Sequence, residues 1–421
     1  MTPQTHFPLA PAEFDPVSPH GFADPASMYE TARREAPVFW HEGLGVWVVT
    51  RRDDVDAVLT DWQKWPSGPL DESEHLRIEV PEVARAVIDD SLISELMVTM
   101  NPPKHSLHRR AAQAAFLKPA MDALQPEIEA RANALVDKFA DLGEVELMNE
   151  FCLALTTQTL MALLDFPDDM TEFMQTIRDD QFVVLASGVE PMEEPRRSEV
   201  WGRYAESNLR LREIVEERRR RAQGIDVVTV MATAKDAKGE YLLTPAQIAL
   251  HLNELAAAGT DTTAQAMANA VMFLSAHEDQ LNEAIADPSL WGDVFEETIR
   301  RRPSAPFAAR LAADDNEIGG VVIPKGDTVW VALASANTDP GAVTDGMAFD
   351  IHREDKTNYS FTKGRHTCLG APLARVQGAT GLRVLFSRIP SLRVVEEQEH
   401  SFLPLAMLPI RRALQTRWTA A

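Results

Sequence analysis

The sequence predicts a mainly α protein with a smaller β region, of the α+β class, arranged as one domain over residues 1–421. Three observations carry this expectation. A long helix opens at Thr244-Pro245-Ala246-Gln247 with a full capping signature, and helical patterning dominates from about 105 to 300. β-rich runs are confined to the first fifty residues, the stretch after 315 and the tail. No Ser/Gly linker, low-complexity tract or fixed-period repeat divides the chain.

In order along the chain, Pro37-Val-Phe-Trp40 and Val46-Trp-Val-Val-Thr50 flank Glu42-Gly-Leu-Gly45 and read as a hairpin. That Gly-x-Gly lacks the third glycine and following helix of a dinucleotide loop, which excludes such a site. The helical stretch is punctuated by turn residues at Phe166-Pro-Asp-Asp169 and Gly188-Val-Glu-Pro191. From Thr244 the helix runs to about Ser275, roughly 45 Å at 1.5 Å per residue, long enough to cross the molecule. Strands return over Asn316–Val331 with a turn at Pro324-Lys-Gly326, helix resumes after Cys368, and the tail is strand and loop.

Acidic residues number 64 against 41 basic ones, a net charge of −23, so the overall field repels nucleic acid and anionic membrane. Two cysteines argue against a disulfide-stapled secreted protein. The N-terminus has no basic region followed by an apolar stretch, and no run reaches the roughly 18 apolar residues of a membrane span. The expectation is a cytoplasmic protein that binds neither membrane nor nucleic acid.

The most informative segment is Phe361-Thr-Lys-Gly364-Arg365-His366-Thr-Cys368-Leu-Gly370, directly before the helix-forming run Ala371–Val376. A sulfur at the N-terminal end of a helix feels the positive end of the dipole, which favours thiolate. Gly364 and Gly370 suit positive φ or close approach of the backbone to something flat. Phe361 can shield the sulfur, and Arg365 and His366 add donors. Structural zinc needs about four protein ligands and an iron–sulfur cluster several cysteines. The other cysteine, Cys152, lies in an apolar run and reads as a small core residue. A lone thiolate therefore fits haem, whose porphyrin supplies the equatorial ligands. A cysteine with no ligand in a glycine turn fits the same residues.

In the middle of the long helix, Ala256-Ala-Ala258-Gly259-Thr260-Asp261-Thr262-Thr263 offers small side chains that let another surface approach. Gly259 costs about 1 kcal/mol against alanine in a helix interior. The alanines also fit ordinary helix–helix packing. Asp261-Thr262, a carboxylate beside a hydroxyl in a buried helix, fits packing less well.

These segments, with Glu297-Thr-Ile-Arg300 between them, resemble the bacterial soluble cytochrome P450 family of haem-thiolate monooxygenases. The likeness covers nearly the whole chain in the right order, and the three motifs together are highly specific. It implies the cytochrome P450 fold, with haem b between a long central helix and a cysteine-ligand loop. It implies Cys368 as the axial iron ligand, and Ala258, Gly259, Phe361, Gly364 and Gly370 beside the haem. Asp261 and Thr262 are similar to the family's acid–alcohol pair, which relays protons during dioxygen activation. His105 and Arg109, at i and i+4 in Pro102-Pro103-Lys-His105-Ser-Leu-His-Arg109, match its propionate-binding pair; Arg310 and His366 match two further propionate contacts. Glu297, Arg300 and Arg353 match its buried structural triad. Thr362, Gln377, Asn101 and Thr338 depart from the commoner glycine or serine, glutamate, aspartate and arginine, and put loop detail rather than chemistry in doubt.

The resemblance implies insertion of one oxygen atom of O2 into a small, largely apolar substrate, by hydroxylation or oxidative dealkylation. No flavin or iron–sulfur segment is visible, so electrons are expected from a separate ferredoxin and ferredoxin reductase. The ferredoxin is expected on a basic patch of Arg110, Lys118, Lys363 and Arg365. By the same analogy the segments around 65–100 and 165–200 roof the pocket, with Phe307, Leu405 and Met407 as apolar contacts that equally fit core packing. Glu254, one turn before Ala258, is expected either to meet a polar or cationic substrate group or a water chain, or to turn toward a basic neighbour. Two other readings compete: a Cys-ligated haem sensor or electron carrier, which needs no proton relay, and a colourless cysteine hydrolase.

Overall fold

The computed structural model describes residues 8–18, 21–22, 25–70, 78–187, 192–399, 401–403 and 405–419. The turn expected at Gly188–Pro191 lies outside them. Elements used below are numbered in chain order.

β1 (Val38–His41) and β2 (Val46–Val49) form the expected antiparallel hairpin. Gly45 closes it at a φ of +63°, a left-handed conformation that glycine adopts without a Cβ penalty. Two later strands, β3 (Phe307–Leu311) and β4 (Thr328–Ala332), complete a sheet in the order β1-β2-β4-β3. The β2–β4 pair is parallel, so the chain between them must cross over. That crossover is the helical body, which explains why the sequence places its β runs at the two ends of a long helical stretch.

The helices that position the site are α1 (Lys104–Gln113), α2 (Lys118–Val136), α3 (Ala154–Leu164), α4 (Thr171–Ala186), α5 (Arg196–Arg221), α6 (Pro245–Ala276), α7 (Trp291–Arg301) and α8 (Ala371–Arg388). α6 starts where the capping box predicts: Thr244 Oγ1 accepts from Gln247 N at 3.2 Å, and Gln247 Oε1 accepts from Thr244 N at 2.8 Å. Most of α6 is buried, because it is surrounded by α3, α4, α5, α7 and α8. It is the axle of the molecule. Among the described residues no helix is long and apolar enough to cross a membrane.

α8, which follows the Cys368 loop, is drawn close to its neighbours by two glycines. A Cβ on Gly378 would lie 2.1 Å from Phe295 Cε2 of α7, and one on Gly381 would lie 2.9 Å from Met267 Sδ of α6. Phe295 is 1% exposed and has no room to retreat. Gly378→Ala is therefore expected to destabilise the protein by about 1–3 kcal/mol through overpacking. A fall in the denaturant midpoint with an unchanged slope would register it; an unchanged midpoint would show that the α7–α8 contact can relax.

Candidate active site

The Cys368 loop is shaped by backbone geometry that its sequence partly announces. Gly364 sits at a φ of +75°, and a Cβ there would meet Leu59 O at 2.7 Å, so no other residue fits without movement. Thr362 is also left-handed, at a φ of +56°, which is strained for a β-branched residue. Two bonds hold it: its amide donates to Tyr359 O at 2.8 Å, and its hydroxyl donates to His366 O at 2.8 Å. The departure at 362 thus keeps a glycine-like turn and secures it with a side-chain bond. Cys368 N donates to Phe361 O at 2.9 Å, closing the loop, and the Arg375 guanidinium lies over the Phe361 ring at 4.7 Å.

The electrostatics at the sulfur differ from the sequence expectation. Cys368 has solvent-reachable surface but is surrounded by protein mass, and burial pushes its thiol above the ordinary value. The amides of Gly370 and Ala371 and the guanidinium groups of Arg109 and Arg375 pull the other way without prevailing. The helix terminus and the two guanidinium groups favour thiolate here, and coordination of a cation at the sulfur would displace the thiol proton. Cys152, by contrast, is fully buried, and burial raises its thiol strongly.

Beside this loop four cations or potential cations converge. The rings of His105 and His366 are 4.1 Å apart, and Arg109 and Arg310 join them. Among the described residues no carboxylate lies within ion-pair distance of any of the four. Arg310 Nη1 donates only to the Ala309 carbonyl, at 2.7 Å. Burial, followed by repulsion from the neighbouring cations, lowers His105 to about 4 and His366 to about 3. Burial lowers Arg310 to about 10. Such a cluster is incomplete without anions. Two propionates of a haem whose iron is bound at Cys368 have the charge and the hydrogen-bonding capacity to complete it, so the residues present fit that group.

The open strip of α6 is the third component. Ala258 is exposed and Gly259 and Thr262 are half-buried, in the middle of a helix whose other residues there are mostly buried. Thr262 Oγ1 donates to Ala258 O at 2.7 Å, and the Thr262 carbonyl accepts from Ser304 Oγ at 2.5 Å. Asp261, 5% exposed, accepts from Thr260 Oγ1 at 3.1 Å and faces Arg178 Nε of α4 at 3.7 Å. Burial raises its carboxyl above the usual range, and Arg178 opposes the rise. Sequence reasoning missed Arg178, for it lies more than eighty residues from its partner and no local pattern marks it.

The cytochrome P450 family model matches residues 82–389. The chain belongs to the cytochrome P450 family. It is 31% identical over 356 residues to cytochrome P450 107B1 of Saccharopolyspora erythraea, covering 84% of each chain. With 6-deoxyerythronolide B hydroxylase of the same organism it shares 29% identity over 367 residues, 86% of this chain and 88% of the relative. Among solved structures, P450 CYP109Q5 from Chondromyces apiculatus superposes with a TM-score of 0.82 at 29% identity, over 97% of this chain and 98% of that one. P450BioI, in complex with a hexadec-9Z-enoic acid ligated acyl carrier protein, gives 0.81 at 26% identity over 94% and 98%. The protein is thus a haem-binding P450 monooxygenase.

The P450 triad is assembled as the resemblance implies. Arg300 grips Glu297 with two bonds of 2.7 Å, and its remaining donors reach Asn337 O, Gly346 O and Ala348 O. Arg353 Nε lies 3.4 Å from Glu297, which also accepts from Asp350 N at 2.9 Å. The departures from P450 pattern have physical reasons. Asn101 both donates, to Gly68 O and Pro69 O, and accepts, from Ser67 N, which an aspartate cannot do. At Thr338 the hydroxyl accepts from Arg33 Nη1 at 3.3 Å, so the guanidinium comes from another helix. Gln377 is buried and donates to Leu155 O at 3.3 Å.

The substrate candidates fare differently. Phe307, 3% exposed, packs among Phe14, Tyr29 and Trp330, the core placement that the sequence also allowed. Met407 packs against the same cluster, and Leu405 is half-buried in a turn that its carbonyl closes with Leu408 N at 3.0 Å. Glu254 has turned toward a basic neighbour: its carboxylate accepts from His251 Nδ1 at 2.7 Å. On the patch, Lys118 is paired with Asp122 and Lys363 with Asp56. Arg110 is exposed, and Arg365 lies over the Trp62 ring at 5.3 Å.

Buried neutral histidines give this P450 an acid sensitivity. Burial first, then neighbouring charges, holds His105 and His108 at about 4, below the ordinary 6.5. The unfolded chain takes up these protons below 6.5 while the folded one resists until about 4. Their stabilisation is therefore present above pH 6.5 and is lost as pH falls from there toward 4. The haem-free protein should lose on the order of 1 kcal/mol per histidine between pH 7 and 5, after solvent screening. Haem should reduce the loss at His105, where propionates would face the ring. Denaturant midpoints of both forms at the two pH values test this.

Proposed function

We propose that residues 1–421 form one catalytic domain that oxidises a small, largely apolar organic molecule by hydroxylation or oxidative dealkylation. The observation that carries the reading is the cluster of two arginines, Arg109 and Arg310, and two neutral histidines, His105 and His366, with no carboxylate among the described residues to pair with it, beside the Cys368 sulfur. Those four would hold the propionates, Cys368 would bind the iron, and Phe361, Gly364 and Gly370 would shape the loop against the ring. Ala258 and Gly259 would let the other face of the ring approach α6. When bound, haem with a thiolate ligand activates dioxygen, the sulfur's electron density favouring O–O cleavage.

The chain's own contribution is proton delivery and exclusion of water. Asp261, whose carboxyl burial raises above its ordinary value, is the group placed to take and release protons. The neighbouring Arg178 opposes that rise, and the Thr262 hydroxyl stands one residue on as the next donor. A haem sensor or electron carrier has no use for a buried carboxyl poised in this way. Electrons would come from a separate ferredoxin and its reductase in the cytoplasm. Against the net charge of −23, exposed Arg110 and the Trp62-stacked Arg365 offer an acidic ferredoxin a local positive site.

The test is oxygen- and NAD(P)H-dependent product formation with ferredoxin and reductase, after a screen of terpenoids, aromatic acids, alkyl-aryl ethers and amines for a haem spin-state shift. Turnover that needs both redox proteins supports the reading. A haem-loaded protein that shifts with ligands yet never consumes NAD(P)H in their presence would favour the sensor.

A further inference from the structure

Glu254 is better placed to hold a segment of the chain than to meet a substrate. Its Oε2 accepts from Met97 N at 2.9 Å and from His251 Nδ1 at 2.7 Å, and its Oε1 accepts from Val98 N at 3.3 Å. A carboxylate only accepts, so His251 Nδ1 carries the proton in that contact. His251 Nε2 lies 2.7 Å from His108 Nδ1 of α1. The two rings share one hydrogen bond, so a hydrogen-bonded chain runs from α1 through α6 to Glu254.

The segment it holds is anchored on both sides. At its start Glu95 accepts from Gln247 Nε2 at 2.7 Å and pairs with Lys104 at 2.8 Å. At its end the Asn101 carbonyl accepts from His105 N of α1 at 3.0 Å, and the Asn101 side chain ties to residues 67–69. Residues 95–101 therefore run as a strap from α6 to the helix that carries His105, and Ala258 lies one turn along α6 from Glu254. Val98 has its side chain 62% exposed while its amide is held inward. Without Glu254 the Met97 and Val98 amides lose the acceptor they share, while the buried Leu96 side chain still anchors the segment.

We infer that Glu254 is a positioning residue whose carboxylate fastens the Glu95–Asn101 strap across the entrance to the haem site and so limits the size of what can enter. The inference rests on the haem placement proposed above. Bonds to a charged acceptor contribute about 1.5–3 kcal/mol, equivalent to about ten- to a hundredfold in an opening equilibrium.

Two readouts test it in the haem-loaded protein. One is amide hydrogen exchange at Met97 and Val98; the other is stopped-flow association of two azole probes, imidazole and 4-phenylimidazole. In Glu254→Ala both amides should exchange about tenfold faster or more, and 4-phenylimidazole should gain on imidazole by about tenfold in association rate. Glu254→Gln keeps one acceptor oxygen and should fall between Ala and wild type. Unchanged exchange and unchanged azole rates in Glu254→Ala would overturn the inference. So would a changed 4-phenylimidazole affinity with unchanged exchange, which would mean direct contact with the ligand. If Glu254→Ala does not fold, exchange in the wild type decides: unprotected amides at both positions sink the proposal. A wild-type protein that takes up no haem yet protects both amides would instead refute the haem placement and leave the fastening by Glu254 standing.

Discussion

Glu297→Ala should destabilise the protein by about 3–5 kcal/mol, the largest single loss expected on the side of the molecule that carries the Cys368 loop. Arg300 is 1% exposed and would keep its charge while losing two of its shortest bonds; its carbonyl partners accept hydrogen bonds but carry no compensating charge. Arg353 and the Asp350 amide would lose the same acceptor. Removing the exposed Lys118–Asp122 pair should change stability by less than about 1 kcal/mol, because water and salt already screen it. Denaturant midpoints of the two variants, measured side by side, test the contrast. Equal small losses would mean that the buried triad is no more than a surface ion pair in effect.

The second large effect is on turnover. Asp261→Asn should lower the rate by roughly 100-fold or more, the usual contribution of a positioned proton donor, with little change in haem content or in substrate affinity. Asparagine fills the same space and can still meet Thr260 Oγ1, but it cannot carry a proton between Arg178 and the Thr262 side of α6. Thr262→Ala should act differently, by lowering product formed per NAD(P)H consumed while reduced oxygen escapes as peroxide. A pH profile adds a readout that a packing defect would not move. Asp261 titrates above the ordinary carboxylate range and donates only while protonated, so the limb of the wild-type profile where rate falls as pH rises through that titration should disappear in Asp261→Asn. Retention of that limb would assign proton delivery elsewhere.

What could be read from the sequence was whatever is encoded locally. The α6 start is written in Thr244, Pro245 and Gln247 because a cap is closed by residues three apart. The β1–β2 hairpin is likewise local, and the Glu297–Arg300 pair follows from helical spacing. His251 and Glu254 were also three apart on one helix, a visible signal for a pair, yet the partners that give the pair meaning are Met97, Val98 and His108, about 150 residues earlier. Long-range contacts of that kind, and those of Arg178 with Asp261 and Arg33 with Thr338, leave no periodic trace. At Cys368 the helix terminus that favours thiolate is visible in sequence, whereas the burial that opposes it depends on the whole fold.

The central claim is that the Cys368 sulfur binds the haem iron. The carbon monoxide complex of the reduced protein tests it most directly. A strongly red-shifted haem band is expected in the wild type, and its loss in Cys368→Ser. A wild type without that band, or a variant that keeps it, would contradict the assignment.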